Sequence, residues 1–183
     1  NGTICTLNSL VVEGLRSWAR LLRMMNKDSE ASLAESDAEQ LERTILDRFW
    51  NPDIECFSDK IYDDNSLSEE SFSAAANVWA LLFCKNIPKH KINGALKKVF
   101  NIVDSFSTER DVRTVSPYGA FYLFGALYKH GFEGKAEEYM KLIYNDMLEN
   151  PTETIWEHAN PTKSLVHAWS TAPNYYLSTR ALG

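Results

Sequence analysis

Between Thr152 and Gly183 the sequence reads TETIWEHANPTKSLVHAWSTAPNYYLSTRALG. Trp156, Trp169, His158, His167 and the carboxylate Glu157 share this short segment, which prolines interrupt. A hydrophobic core has no use for that mixture. A sugar site has one, because indoles stack on the apolar faces of sugars, imidazoles bind hydroxyls, and a carboxylate can take a proton from water. Thr152, Thr154 and Ser170 add hydroxyls around the same two helix ends, and loops there commonly display catalytic groups on a rigid scaffold.

Other chemistries find less support. HEXXH is absent, and the gap between His158 and His167, which spans Pro161, matches no common helical ligand pair. There is no GxSxG elbow, no Cys near a His partner in sequence, and no Gly-rich phosphate loop. Asp59, Asp63 and Asp64 form an acidic cluster, but calcium would need a fixed spacing with a central Gly. A solvated turn is the expected reading of that cluster. Cys5, Cys56 and Cys84 are widely spaced, form no CxxC pair, and are expected to be packed thiols. No metal and no cofactor is implied.

The elements that position these groups are helical. Leu10, Leu15, Trp18, Leu22 and Met25 mark a first helix, ended by Asn26-Lys27-Asp28. A second is expected from about Leu33 to Arg48, with Ala34, Ala38, Leu41, Ile45 and Phe49 inward and Glu35, Asp37, Glu39 and Glu42 on a solvated face. Residues Ile54 to Asp63 lack the helical period and read as a short extended loop or hairpin. Ser71–Cys84 and Tyr118–His130 are apolar on every side, which predicts burial between neighbours. A helix after Pro88, with Ile92, Leu96, Val99, Phe100 and Val103 inward, and another over Glu133–Asn150 are amphipathic. The last begins after Ser170 and carries Pro173 in its first turn, where proline is tolerated. Amphipathic helices alternating with helices apolar all round predict two helical layers. No internal repeat stands out.

At 183 residues, with 44% hydrophobic and 12% aromatic content, one domain spanning 1–183 is expected, large enough for a core. A net charge of -6 with scattered basic residues leaves no electrostatic footprint for nucleic acid. No apolar run is long enough to span a membrane, and the first residues lack a signal-peptide layout. The chain opens at Asn1 rather than Met, and a fragment or processed form is the expectation.

Five blocks in order, FWNPDIECFSD, SAAANVWAL, SPYGAFYLFGALYKHG, TIWE and HAWSTAPNYYLSTRALG, resemble the C-terminal half of the (α/α)6-barrel catalytic domain of bacterial α-L-rhamnosidases, glycoside hydrolase family 78. The resemblance runs from about Leu7 to Gly183, and its last two blocks are the most specific. It implies an all-α fold, an α/α toroid that is a partial (α/α)6 barrel of about seven helices with one short extended loop or hairpin. It also implies metal-free, inverting hydrolysis of terminal α-L-rhamnosides, in a bacterial cytoplasm or periplasm. Inverting hydrolysis uses two carboxyl groups roughly 6.5–9.5 Å apart. The family's general base lies in the TxWE block, which makes Glu157 the base by resemblance. Trp156, His158, His167 and Trp169 become substrate-binding residues.

Two departures matter. The family's general acid lies N-terminal to anything present, so the chain by itself is expected to be inactive. Where many relatives read Ser-Gln-His-Ala-Asn, this chain has Ser73-Ala74-Ala75-Ala76-Asn77, two methyls in place of polar groups. A non-catalytic carbohydrate-binding or scaffold module of the same ancestry is therefore the alternative. Half a barrel would also leave apolar edges open, and these predict a homo-oligomer with Trp18 or its neighbours in the contact.

Overall fold

The computed structural model describes residues 2–68, 72–105, 115–159 and 163–182. Among them are seven α-helices: α1 (Cys5–Met24), α2 (Asp28–Arg48), α3 (Ala74–Phe83), α4 (Lys89–Asp104), α5 (Pro117–Lys129), α6 (Glu133–Leu148) and α7 (Ala172–Tyr176). A 3-10 turn, Ala168–Ser170, precedes α7 and a π turn, Leu177–Ala181, follows it. The strands are short: β1 (Gly2–Ile4), β2 (Trp50–Asn51), β3 (Cys56–Phe57) and β4 (Lys60–Tyr62). The hairpin begins earlier than the expected Ile54–Asp63 stretch: β2 pairs antiparallel with β3, Trp50 opposite Phe57. Strand β1, which lies in the first residues and lacks a readable pattern, pairs antiparallel with β4, Thr3 opposite Ile61. The chain forms two compact units, 1–99 and 100–183, with the boundary inside α4.

In the first unit α1 packs along α2 and against α3. The buried face of α1 is Cys5, Ser9, Val12, Arg16, Ala19 and Leu22. This corrects the expected stripe: Leu22 points inward, but Leu10, Trp18 and Met25 are exposed. Polar groups sit on the inward face because they have partners there. The Ser9 hydroxyl donates to the Cys5 carbonyl at 2.9 Å, and Arg16 donates to the Phe83 carbonyl at 2.7 Å and to the Glu42 carboxylate. Glu42, expected on the solvated face of α2, is only 1% exposed. Its other oxygen accepts the Asn86 N–H at 2.7 Å, so one carboxylate joins α1, α2 and the segment after α3. The helix α2 also starts earlier than expected, at Asp28, and Ala31 joins Ala34, Ala38 and Ile45 in the core.

Local chemistry sets the other helix ends. The Ser73 hydroxyl caps α3 by accepting the Ala76 N–H at 3.1 Å, and the Asp59 carboxylate accepts the Ser73 N–H at 3.1 Å. Ser71, the expected start of α3, lies outside the described residues. Asn77, fully buried, accepts the Phe57 N–H at 2.9 Å and donates to the Phe57 carbonyl at 3.2 Å, acting as a strand partner for β3. Asp64 forms a turn by accepting the Ser66 N–H at 2.9 Å. The three thiols are free and buried, as expected, and burial pushes Cys56 up to about 11.

Gly94 of α4 faces the β2–β3 turn so closely that a Cβ would run into the Glu55 carbonyl oxygen and lie 2.9 Å from Trp50 Cη2. The neighbouring atom is backbone, with no flexible end to swing aside. Gly94→Ala should therefore lower stability by about 1–3 kcal/mol in denaturant unfolding, against the usual gain from adding Ala to a helix.

In the second unit α5 packs on α6 and α7. Ser116 caps α5 through the Gly119 N–H at 3.1 Å, with Pro117 in its first turn. Gly131, at φ +79°, lets the Phe132 N–H reach back to the Leu127 carbonyl at 2.9 Å and close the helix. The expected burial of α5 on every side is not met: Tyr118 and Phe121 are exposed. Asp104, at the end of α4, accepts the Tyr139 hydroxyl of α6 at 2.8 Å.

Candidate functional site

The TIWE block follows α6 through a turn in which Glu153 takes φ +49° and donates its N–H to the Asn150 carbonyl at 2.9 Å. Residues 154–157 then run beside residues 164–167. The Glu157 N–H donates to the Ser164 carbonyl at 2.9 Å, and the His167 N–H donates to the Ile155 carbonyl at 2.9 Å. The Thr154 hydroxyl closes the same pairing on the Leu165 carbonyl at 2.5 Å. These bonds bring Glu157 and His167 onto adjacent segments although nine residues lie between them.

Trp156 takes the inward face and is 2% exposed. Its N–H meets the Met147 sulfur at 3.4 Å, and its indole N–H reaches the Thr152 hydroxyl at 3.4 Å. Trp156, expected to bind substrate, is thus a buried side chain here. It anchors the block in the core. The Glu157 side chain is 34% exposed, and its ionic neighbour among the described residues is His158, Nε2 to Oε1 4.0 Å.

His167 and Trp169 do come together. Their rings lie 4.3 Å apart between centroids, and Trp169 is 62% exposed. The 3-10 turn holds them in place: the Ser170 N–H donates to the His167 carbonyl at 3.1 Å, and Thr171 donates its hydroxyl to the Ala168 carbonyl at 2.8 Å. Ser170 is fully buried, and the Tyr144 hydroxyl of α6 is shared between its carbonyl (2.8 Å) and that of Pro117 (2.9 Å). Burial raises the Tyr144 phenol well above its ordinary range, so it remains a donor.

The aromatic surface continues beyond the pair. Tyr118 lies 5.9 Å from Trp169 and 5.6 Å from Tyr122, and the two phenol oxygens are 3.0 Å apart. That hydrogen bond, with partial burial, pushes Tyr122 up to about 12. Phe121 extends the row to Tyr175 at 5.5 Å. Sequence reading missed this surface because an all-apolar helix predicts burial. The signal was present in four rings on one short stretch, Tyr118, Phe121, Tyr122 and Phe124, of which Phe124 alone is fully buried.

Two cavities lie elsewhere. One, about 430 Å3, is walled by Met140, Tyr144, Leu148, Pro173 and Leu177. The other, about 320 Å3, is lined by Thr44, Arg48, Tyr62 and Asp63 among others. Neither is the concave pocket expected to join Glu157, His167 and Trp169. Among the described residues no group of His, Cys, Asp and Glu could hold a metal ion, and no helix is long and apolar enough to cross a membrane.

No family model and no curated protein matches the chain. Among solved structures it is similar to the crystal structure of a GH78 family rhamnosidase of Bacillus sp. GL1, with a TM-score of 0.77 at 24% identity. The match covers 97% of this chain and 19% of that one, so the chain spans about a fifth of that rhamnosidase. At this identity the likeness shows the fold alone, and that fold is all-α and of the class expected from the sequence.

Proposed function

We propose that this chain is the general-base segment of an inverting glycoside hydrolase acting on terminal α-L-rhamnosides. The observation that carries the reading is the pairing of residues 154–157 with 164–167, which sets the Glu157 backbone beside the segment that leads to the His167–Trp169 ring pair. Glu157 takes the proton from the attacking water. His167 bonds a sugar hydroxyl, Trp169 offers a ring face, and His158 stands beside the carboxylate. The general acid belongs to chain outside these residues. The fold likeness to a rhamnosidase supports the sugar class.

The test is a titration of the 183-residue chain with L-rhamnose, followed by NMR at the His167 and Trp169 side chains. Both should shift saturably, and Trp169→Ala should weaken binding about tenfold, since one aromatic contact is worth roughly 0.5–1.5 kcal/mol beyond its area. The same chain should release no product from an aryl rhamnoside. Resonances that stay put at saturating sugar would remove the sugar site. A second reading, a binding module without catalysis, is favoured by the methyls of Ala74 and Ala75, of which Ala75 is exposed where relatives carry a polar group. It predicts the same binding but no activity in any completed barrel.

A further inference from the structure

The outer face of α1 is apolar along its whole length. Leu7, Val11, Gly14, Trp18, Leu21 and Met25 follow one another at alternating steps of four and three, the seam of a helix that packs along another helix. Leu7, Val11, Trp18, Leu21 and Met25 are all between 43% and 58% exposed, and Met24 beside them is 81% exposed. No charged residue interrupts the seam. The charges that flank it are paired with one another, Arg20 with Glu13 at 2.8 Å and Arg23 with Glu35. With Leu10, these side chains expose on the order of 800 Å2, about what one partner contributes to a stable interface and more than most monomers leave in water.

The seam also fits itself. Placed antiparallel to a second copy with a two-fold axis at residue 16, it sets Leu7 against Met25, Val11 against Leu21 and Gly14 against Trp18. The largest side chain then faces the smallest. Gly14 lies in the middle of a 20-residue helix, where glycine costs about 1 kcal/mol relative to alanine, and a Cβ built there meets nothing within 4 Å. Among the described residues, no close contact explains the glycine. Across a two-fold axis, the gap it leaves in the bulky stripe is the seat for the partner's indole. We infer that the outer face of α1 is a homodimer interface in which Trp18 of each copy seats over Gly14 of the other. Closed two-fold pairing is the commonest way such a face is covered.

Sedimentation equilibrium of the 183-residue chain should give a dimer at micromolar concentration. Trp18→Glu should raise the dimer dissociation constant about a hundredfold, the effect of removing a central Trp anchor. Its circular dichroism should stay unchanged, because the side chain lies outside the core. Gly14→Leu is the sharper test. It adds apolar surface and helix propensity, so a non-specific apolar contact would tighten, whereas a filled seat should weaken the dimer by about tenfold. A folded monomer at every concentration would overturn the inference and leave the face to the rest of a longer chain or to a different polypeptide. So would a dimer indifferent to Trp18→Glu, or one strengthened by Gly14→Leu.

Discussion

Glu42→Ala should lower the stability of the chain by about 3–5 kcal/mol, the usual cost of removing one partner of a buried ion pair. The Arg16 guanidinium is 6% exposed and would keep its charge without a counter-charge. The Asn86 N–H would lose its acceptor as well. The pair itself need not stabilise the fold relative to an apolar core: replacing both partners together, Arg16→Met with Glu42→Leu, should cost much less than Glu42→Ala alone. Urea unfolding of the three variants decides this. A double variant as unstable as Glu42→Ala would show that the cost comes from packing rather than from the stranded charge.

The same carboxylate makes stability depend on pH. Burial would raise the Glu42 pKa, but the Asn86 N–H, the Arg16 guanidinium and the Lys85 N–H outweigh it and hold the carboxyl below its ordinary value. A carboxyl held down in the folded state contributes stability above its unfolded pKa, about 4.3, and loses it as pH falls from there through the lower folded value. The melting temperature of the wild type should therefore fall below about pH 4.3 more steeply than that of the Arg16→Met, Glu42→Leu double variant. Parallel acid limbs would assign the fall to other carboxylates.

Glu42 also shows where sequence stops being readable. Helical period places Glu42 correctly on α2 but cannot tell a solvated carboxylate from one that meets an arginine of another helix. That distinction depends on Arg16, 26 residues away and itself on the inward face of α1. The first helix has apolar side chains on two opposite faces, so its period does not say which is core, and the polar pair settles it. Starts and stops written in local chemistry were legible: Asn26-Lys27-Asp28 between α1 and α2, and Pro88 before α4. Strand β1 was not, because three residues have no period and their pairing with β4 is set some 60 positions later. At the candidate site the residue types single out one segment, but they do not show that Trp156 is buried, which depends on its packing against Met147 of α6.

Glu157→Gln should lower turnover on the order of a hundredfold or more, the contribution typical of a general base. The experiment needs the second carboxylate, so the matching segment of the Bacillus sp. GL1 rhamnosidase is replaced by this chain and an aryl rhamnoside is the substrate. Gln keeps the shape of the side chain and its hydrogen-bonding reach but cannot take a proton from water. Trp156 fixes the backbone from the core side, and the Glu157 N–H to Ser164 bond is made by main chain, so both survive the change. Melting temperature and KM should therefore stay close to the parent, and the loss should fall on kcat. A positional role would move KM and kcat together. Glu157→Ala gives an independent readout, because azide needs no proton removed before it attacks. In that variant, added azide should restore part of the turnover and yield a glycosyl azide of inverted configuration. Unchanged kcat in Glu157→Gln would take Glu157 out of the reaction. A lost kcat without azide rescue would leave Glu157 a positioning residue and pass the base to another carboxylate.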